Sequence, residues 1–241
     1  MLIARLILPC LVTIVSAGKA TSGLLLSVGA SQSRSQADIS ISVEDIREAE
    51  ERLSELGYWT GPVDGILDEG TRHALIAFQK VEGRPRTGKL DPGELEAIRN
   101  ATRPNPIESG FAHIEIDLAR QVLFMVDASG TVTNILPVST GTEKLFTEGG
   151  RTRRAVTPLG RFTVYRKING WRRSPLGLLY YPLYIYGGIA IHGNPSVPTY
   201  PASHGCIRIP MFAAKQFSEM TPIGTVVIIH DGAPVIDETS G

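Results

Sequence analysis

The chain is expected to be an α+β multidomain protein, a small three-helix module followed by a mainly-β, sandwich-like domain. Three observations predict this. Apolar residues recur at helical spacing from Ser42 to about residue 100. Near residue 112 the period falls to two. Beyond it, short apolar runs alternate with Gly and Pro, only one late stretch is helical, and no βαβ alternation argues for a doubly wound sheet.

Residues 1–30 read as a secretory signal peptide. Arg5 precedes the apolar run over 6–15, and small residues follow at Ser16, Ala17 and Gly18. The run is short for a membrane span. Cleavage after Ala17, Ala20 or Ala30 fits equally, and an uncleaved segment would act as an anchor. Residues 31–41, rich in Ser and Gln, read as a flexible linker.

The module over 42–102 opens with Ser42 and Asp45 in a capping-box arrangement. Val43, Ile46, Ala49, Leu53 and Leu56 follow on one face, and Gly57 closes the helix. The turn GPVDG at 61–65 leads to a second helix over 69–80, with Ala74, Leu75 and Phe78 inward. A third helix spans about 92–100, with Leu95 and Ile98 inward. About 60 residues is near the lower limit for a core that stands alone.

A stiff Pro-containing linker over 103–111 precedes the β domain at 112–231, and residues 232–241 form a polar tail. Residues 113–118 alternate, with Ile114, Ile116 and Leu118 on one face, whereas 121–126 is a more continuously apolar strand. A hairpin turn over 127–130, strands near 131–139, 162–165, 181–186, 189–191 and 225–229, and a helix near 212–220 complete the reading.

The 241 residues carry 24 basic and 24 acidic side chains, and 42% are hydrophobic. That balance gives no electrostatic case for nucleic acid as a partner. Two cysteines are present, Cys10 inside the expected signal and Cys206. A lone thiol in an exported protein either bridges to another chain or does chemistry.

Its surroundings favour chemistry. The stretch HGNPSVPTYPASHGCIRI over 192–209 holds Cys206 two residues after His204 and 14 after His192, with Pro195, Pro198 and Pro201 excluding a helix. An imidazole raises the small thiolate fraction of an ordinary thiol. Gly205 lets the backbone turn tightly beside the sulfur, so that neighbouring N–H groups can converge on an oxyanion. His204 is a rival base, since two residues along an extended chain return to one side. Zinc held by His192, His204 and Cys206, with His230 or Asp231, is the chemical rival. The spacing matches no common zinc pattern, so no metal and no cofactor are expected.

Two resemblances sharpen this reading. The run LGYWTGPVDGILDEGTRHALIAFQKVEGRPRTGKLD resembles the type 1 peptidoglycan-binding domain, through Tyr58, Gly61, Val63, Asp64, Gly65, Thr71, Phe78, Gln79, Thr87, Gly88 and Leu90. The β domain resembles the L,D-transpeptidase (YkuD-type) catalytic domain. It carries IEIDLARQVLFMV, PVSTG at 137–141, TPLGRFTV at 157–164 and the signature Ser203-His204-Gly205-Cys206-Ile207-Arg208.

The resemblance implies a cysteine-dependent acyltransferase of the periplasm or cell wall, acting on peptidoglycan tetrapeptide stems as donor and acceptor. Cross-linking of stems, attachment of a wall protein, L,D-carboxypeptidase activity and non-catalytic wall binding remain alternatives. Carbapenem-type lactams would acylate the thiol. Cys206 would be the nucleophile and His192 the base, oriented by the Gly193 carbonyl. The N–H groups of His204, Gly205 and Cys206 would donate to the oxyanion, with Ser203 in the same loop. Arg208 would bind a substrate carboxylate or a nearby acid. Arg153, within a basic loop over 151–154, would meet stem carboxylates or simply be solvated. Trp171, like Tyr184 and Tyr186, would wall the cleft or pack in the core.

Overall fold

In the computed structural model, residues 40–232 are described. The expected signal peptide, residues 31–39 of the linker and the tail from 233 lie outside the described residues. No described helix is long and apolar enough to cross a membrane.

Helix α1 (Val43–Glu55) starts as its sequence dictates. The Ser42 hydroxyl accepts from the Asp45 amide, and the Asp45 carboxylate accepts from the Ser42 amide, closing a capping box. Helices α2 (Glu69–Val81) and α3 (Pro92–Asn100) are capped by Asp68 and Asp91. The GPVDG turn is held from inside. Buried Glu50 accepts from the amides of Asp64 and Gly65 at 3.0 and 2.8 Å and from the Thr71 hydroxyl at 2.6 Å. That contact gives the GPVDG turn and Thr71 a shared structural purpose.

The β domain stacks two sheets. Strands β1 (His113–Asp117), β2 (Val122–Val126), β3 (Val132–Pro137), β6 (Gly160–Thr163) and β12 (Val226–His230) form the first, ordered β3-β2-β1-β12-β6, with β1 and β12 parallel. Strands β7 (Arg166–Lys167), β9 (Gly177–Tyr186), β10 (Ile189–Gly193) and β11 (Ile207–Ile209) form the second, ordered β11-β10-β9-β7, and β8 (Trp171–Ser174) pairs with β9. Helix α4 (Met211–Met220) places Ala213, Ala214 and Phe217 in the core, beside Ile114, Ile116 and Leu123 of the first sheet and Leu183, Ile191 and Ile207 of the second. The α+β architecture and the two-layered β domain agree with the sequence.

The residues over 151–154 are not a loop. They form strand β5 (Arg151–Arg154), which pairs with β4 (Leu145–Glu148) across a Gly149-Gly150 turn with both glycines at positive φ. All four β5 residues are exposed, so the strand carries no burial alternation to read.

The helical module does not close its core alone. Val122, Phe124, Val126, Val132 and Ile135, on the outer face of the first sheet, belong to the cluster built on Leu53, Leu75, Phe78 and Ile98. The continuously apolar run over 122–126 has this cause, because β2 is covered on both faces. Backbone bonds Trp59 N–H to Ile135 O and Ile135 N–H to Gly57 O, at 3.1 and 2.7 Å, add a short bridge to the free edge of β3.

Nor does the segment over 103–111 swing free. Arg103 donates to carbonyls of Glu55 and Val132, and the amides of Ile107 and Glu108 donate to buried Glu115 at 3.0 and 2.9 Å. Lys80 of α2 is fully buried and donates from Nζ to the carbonyls of Gln121 and Val138 at 3.0 and 2.8 Å. The described residues therefore belong to one compact unit.

Candidate active site

The site grows from one parallel strand pair. Strands β10 and β11 align Ile191 with Ile207 and His192 with Arg208. Paired residues point to one side and successive residues alternate, so Ile191, Ile207 and Ile209 enter the core. His192 and Arg208 then share the opposite face, and Cys206, two residues before Arg208, joins them. These three side chains line one cleft of about 560 Å³.

His192 is buried, and its Nδ1 lies 2.9 Å from the Gly193 carbonyl. A carbonyl only accepts, so Nδ1 carries the proton and the Nε2 lone pair is available. Burial drives the imidazole pKa down to about 4, aided by Arg208 and opposed by the Gly193 carbonyl. Burial also raises the Cys206 thiol above the usual cysteine range, against the pull of the Ala190 backbone and Arg208. Both partners are therefore neutral near pH 7 when the cleft is empty. The sulfur is partly exposed and lies 3.9 Å from the Gly188 carbonyl.

The loop before the sulfur is held by short local bonds. The Ser203 hydroxyl donates to the Cys206 carbonyl at 2.6 Å and accepts from the Gly205 amide at 3.0 Å. Gly205 has φ +132, and a Cβ there would lie 2.7 Å from the Val156 carbonyl. Only glycine fits that position. The Gly205 amide is thus committed to Ser203, which corrects the expectation that it donates to an oxyanion. The amides of His204 and Cys206 have no hydrogen-bond partner among the described residues.

A strap over 138–142, the PVSTG stretch and the residue after it, carries the loop. Ser139 and Arg208 exchange backbone bonds at 3.1 and 3.0 Å, the Thr140 carbonyl accepts from Ala202 and Ser203, and the Ser139 hydroxyl donates to the Tyr200 carbonyl. Gln121 clasps Thr140 through both ends of its side-chain amide, and Thr157 bridges the Gly141 amide to the Gly205 carbonyl. These supporting roles of Gln121, Thr140 and Thr157 were not read from the sequence. Thr157 stood within a recognised stretch, but its partner is 48 residues away.

The other expected residues divide. His204 is exposed and packs edge-on against Phe146 of β4, with centroids 4.7 Å apart, so it props the β4–β5 hairpin. Arg153 and Arg208 line the cleft. Arg208 has no carboxylate within 4.0 Å among the described residues, which removes the structural ion pair as its role. Trp171 is about half exposed, packs on Tyr180 and does not line the cleft. Its neighbours Arg172 and Arg173 do line it, and sequence reasoning missed both. Tyr184 is buried at the cleft wall and Tyr186 packs beside Phe162. Among the described residues no three His, Cys, Asp or Glu side chains gather as a metal site would need.

Comparison with known proteins matches both parts of the chain. The family model for the L,D-transpeptidase catalytic domain matches residues 112–229, and that for a putative peptidoglycan binding domain matches residues 42–98. The crystal structure of an L,D-transpeptidase from Xylanimonas cellulosilytica is 38% identical and superposes with a TM-score of 0.73. The match covers 77% of this chain and 93% of that one. The localization factor PodJL of Caulobacter vibrioides is 40% identical over 50 residues, 21% of this chain, and the match spans 5% of that protein's length. With the signature loop, the two-sheet scaffold and a 38% identical relative matched over 93% of its crystallised residues, the chain belongs to the L,D-transpeptidase family.

Proposed function

We propose that the protein is a cell-envelope L,D-transpeptidase that cross-links peptidoglycan through a Cys206 thioester. The observation that carries this reading is the common face of β10 and β11, where Cys206, His192 and Arg208 line one cleft while the Gly193 carbonyl holds the proton on His192 Nδ1. Cys206 attacks the carbonyl after the third residue of a tetrapeptide stem. The thiol proton passes to His192 Nε2, the S–C bond forms, and the C–N bond to D-Ala breaks as that proton reaches the leaving amine. The amides of His204 and Cys206 are the available oxyanion donors. A side-chain amine of a second stem then displaces the sulfur and leaves a 3→3 cross-link.

Because thiol and imidazole rest neutral, proton transfer accompanies attack instead of preceding it. The same thioester with water as acceptor gives L,D-carboxypeptidase activity, and with a protein amine gives attachment of a wall protein. The helical module supports peptidoglycan as the surface on which the enzyme works, and the signal-like first 30 residues support export across the cytoplasmic membrane.

Purified protein incubated with tetrapeptide muropeptides tests this reading. The expected product is a cross-linked dimer seen by mass spectrometry, formed through a covalent adduct and absent for Cys206→Ala. Equal product from Cys206→Ala, or no covalent adduct with either stem or a carbapenem, would refute it.

A further inference from the structure

We propose that two hairpins form an arginine clamp selecting donor stems whose carboxyl groups are free acids over stems carrying carboxamides. This rests on the transpeptidase reading and names the substrate class of the same cleft. Arg153 and Arg154 stand on the β4–β5 hairpin, Arg172 and Arg173 on the β8–β9 hairpin, and Arg208 beside the sulfur. All five line the cleft, against a single acid, Glu148. The whole chain is formally neutral, with 24 basic and 24 acidic residues, so this concentration of charge is local.

Most of that charge is unspent. Arg172, Arg173 and Arg208 have no carboxylate within 4.0 Å among the described residues. Arg153 meets Glu148 only at 3.9 Å, whereas Arg154 is committed to Glu143, at 3.2 Å to its carboxylate and 2.8 Å to its carbonyl.

Guanidinium groups present forked donors and no acceptor, which matches a carboxylate and repels the N–H₂ of a carboxamide. A tetrapeptide stem offers such groups where its glutamate is linked through the γ-carboxyl, leaving the α-carboxyl free or amidated. The clamp draws on two hairpins that line the same cleft as the nucleophile.

The full chain carrying Cys206→Ala allows binding to be measured apart from chemistry. Calorimetry would compare a synthetic tetrapeptide whose γ-linked glutamate has a free α-carboxyl with its carboxamide. The free acid is expected to bind about tenfold more tightly at low salt, with the difference shrinking severalfold at 0.5 M NaCl. Adding Arg172→Gln and Arg173→Gln should shrink the preference severalfold by weakening free-acid binding more than carboxamide binding. Equal affinities, tighter carboxamide binding, a preference undiminished by the double substitution, or no binding of either peptide would overturn the clamp. Turnover of both donors by the wild-type protein reports on the transpeptidase reading separately. Equal affinities with intact turnover would sink the clamp alone.

Discussion

The depressed basicity of His192 sets where activity begins on the pH scale. An ordinary imidazole titrates near 6.5 and this one near 4, with burial as the chief cause and Arg208 adding to it. The displacement corresponds to about 3 kcal/mol against the imidazolium. At pH 5 an unshifted base would be only about 3% deprotonated, whereas a base of pKa about 4 would be about 90% deprotonated. The second-order rate of acylation by a tetrapeptide donor, followed by intact mass from pH 3.5 to 9, should stay level between pH 5 and 8. It should fall by half near pH 4, and Arg208→Gln should move that limb to higher pH.

The stability sign is fixed by the same shift. The unfolded chain binds the proton more readily than the folded one, so stability is complete above pH 6.5. It declines by up to about 3 kcal/mol as pH falls through 4. Circular dichroism at each pH keeps unfolding apart from loss of the base. Iodoacetamide on the donor-free enzyme supplies a second arm, because a raised thiol pKa makes alkylation climb at higher pH than for an ordinary cysteine. An acid limb near 6.5 would refute the depressed imidazole, and alkylation that is level from pH 5 to 8 would refute the neutral pair and indicate a preformed thiolate–imidazolium pair.

Two further outcomes follow from groups outside the chemistry. Burial lowers Lys80 from the usual lysine value to about 7, so the wild type gains stability as pH rises from 7 to 10.5, while Lys80→Met lacks this gain. The stability lost in Lys80→Met, measured by urea unfolding, should therefore grow by up to about 5 kcal/mol across that window, and a constant difference would be the contrary result. Gly205→Ala adds a Cβ 2.7 Å from the Val156 carbonyl at a φ of +132, a strain of about 1–3 kcal/mol. It should slow acylation at least about tenfold with the melting temperature lowered by only a few degrees, and unchanged acylation would show that the loop tolerates the shift.

Much of this was legible because the signals are local. Capping residues Ser42, Asp68 and Asp91 announce their helices, and Cys206 lies within four residues of the groups that shape its loop. Alternation over 113–118 gave the core face of β1 correctly, yet it implied that His113 and Glu115 meet water. They are buried as a pair 2.9 Å apart, because the segment over 103–111 folds across them. Strand β5 was invisible to periodicity, since both its faces are exposed; the Gly-Gly turn and facing Thr147 and Thr152 were the available signal. Arg172 and Arg173 escaped for another reason. Only the three-dimensional approach of the β8–β9 hairpin to the signature loop gives those side chains a purpose.

The apolar cluster common to the helices and the first sheet limits how this protein can be rebuilt. Exchanging the helical part for another would strand Phe124, Val122 and Ile135 in water, at about 1.5–3 kcal/mol apiece, unless the newcomer brought a matching surface. Because Arg86 also reaches the Thr199 carbonyl in the loop leading to the nucleophile, the helices and the sulfur keep a fixed offset. Any glycan strand gripped by the helices would be presented to the reactive centre at one set distance, as by a jig.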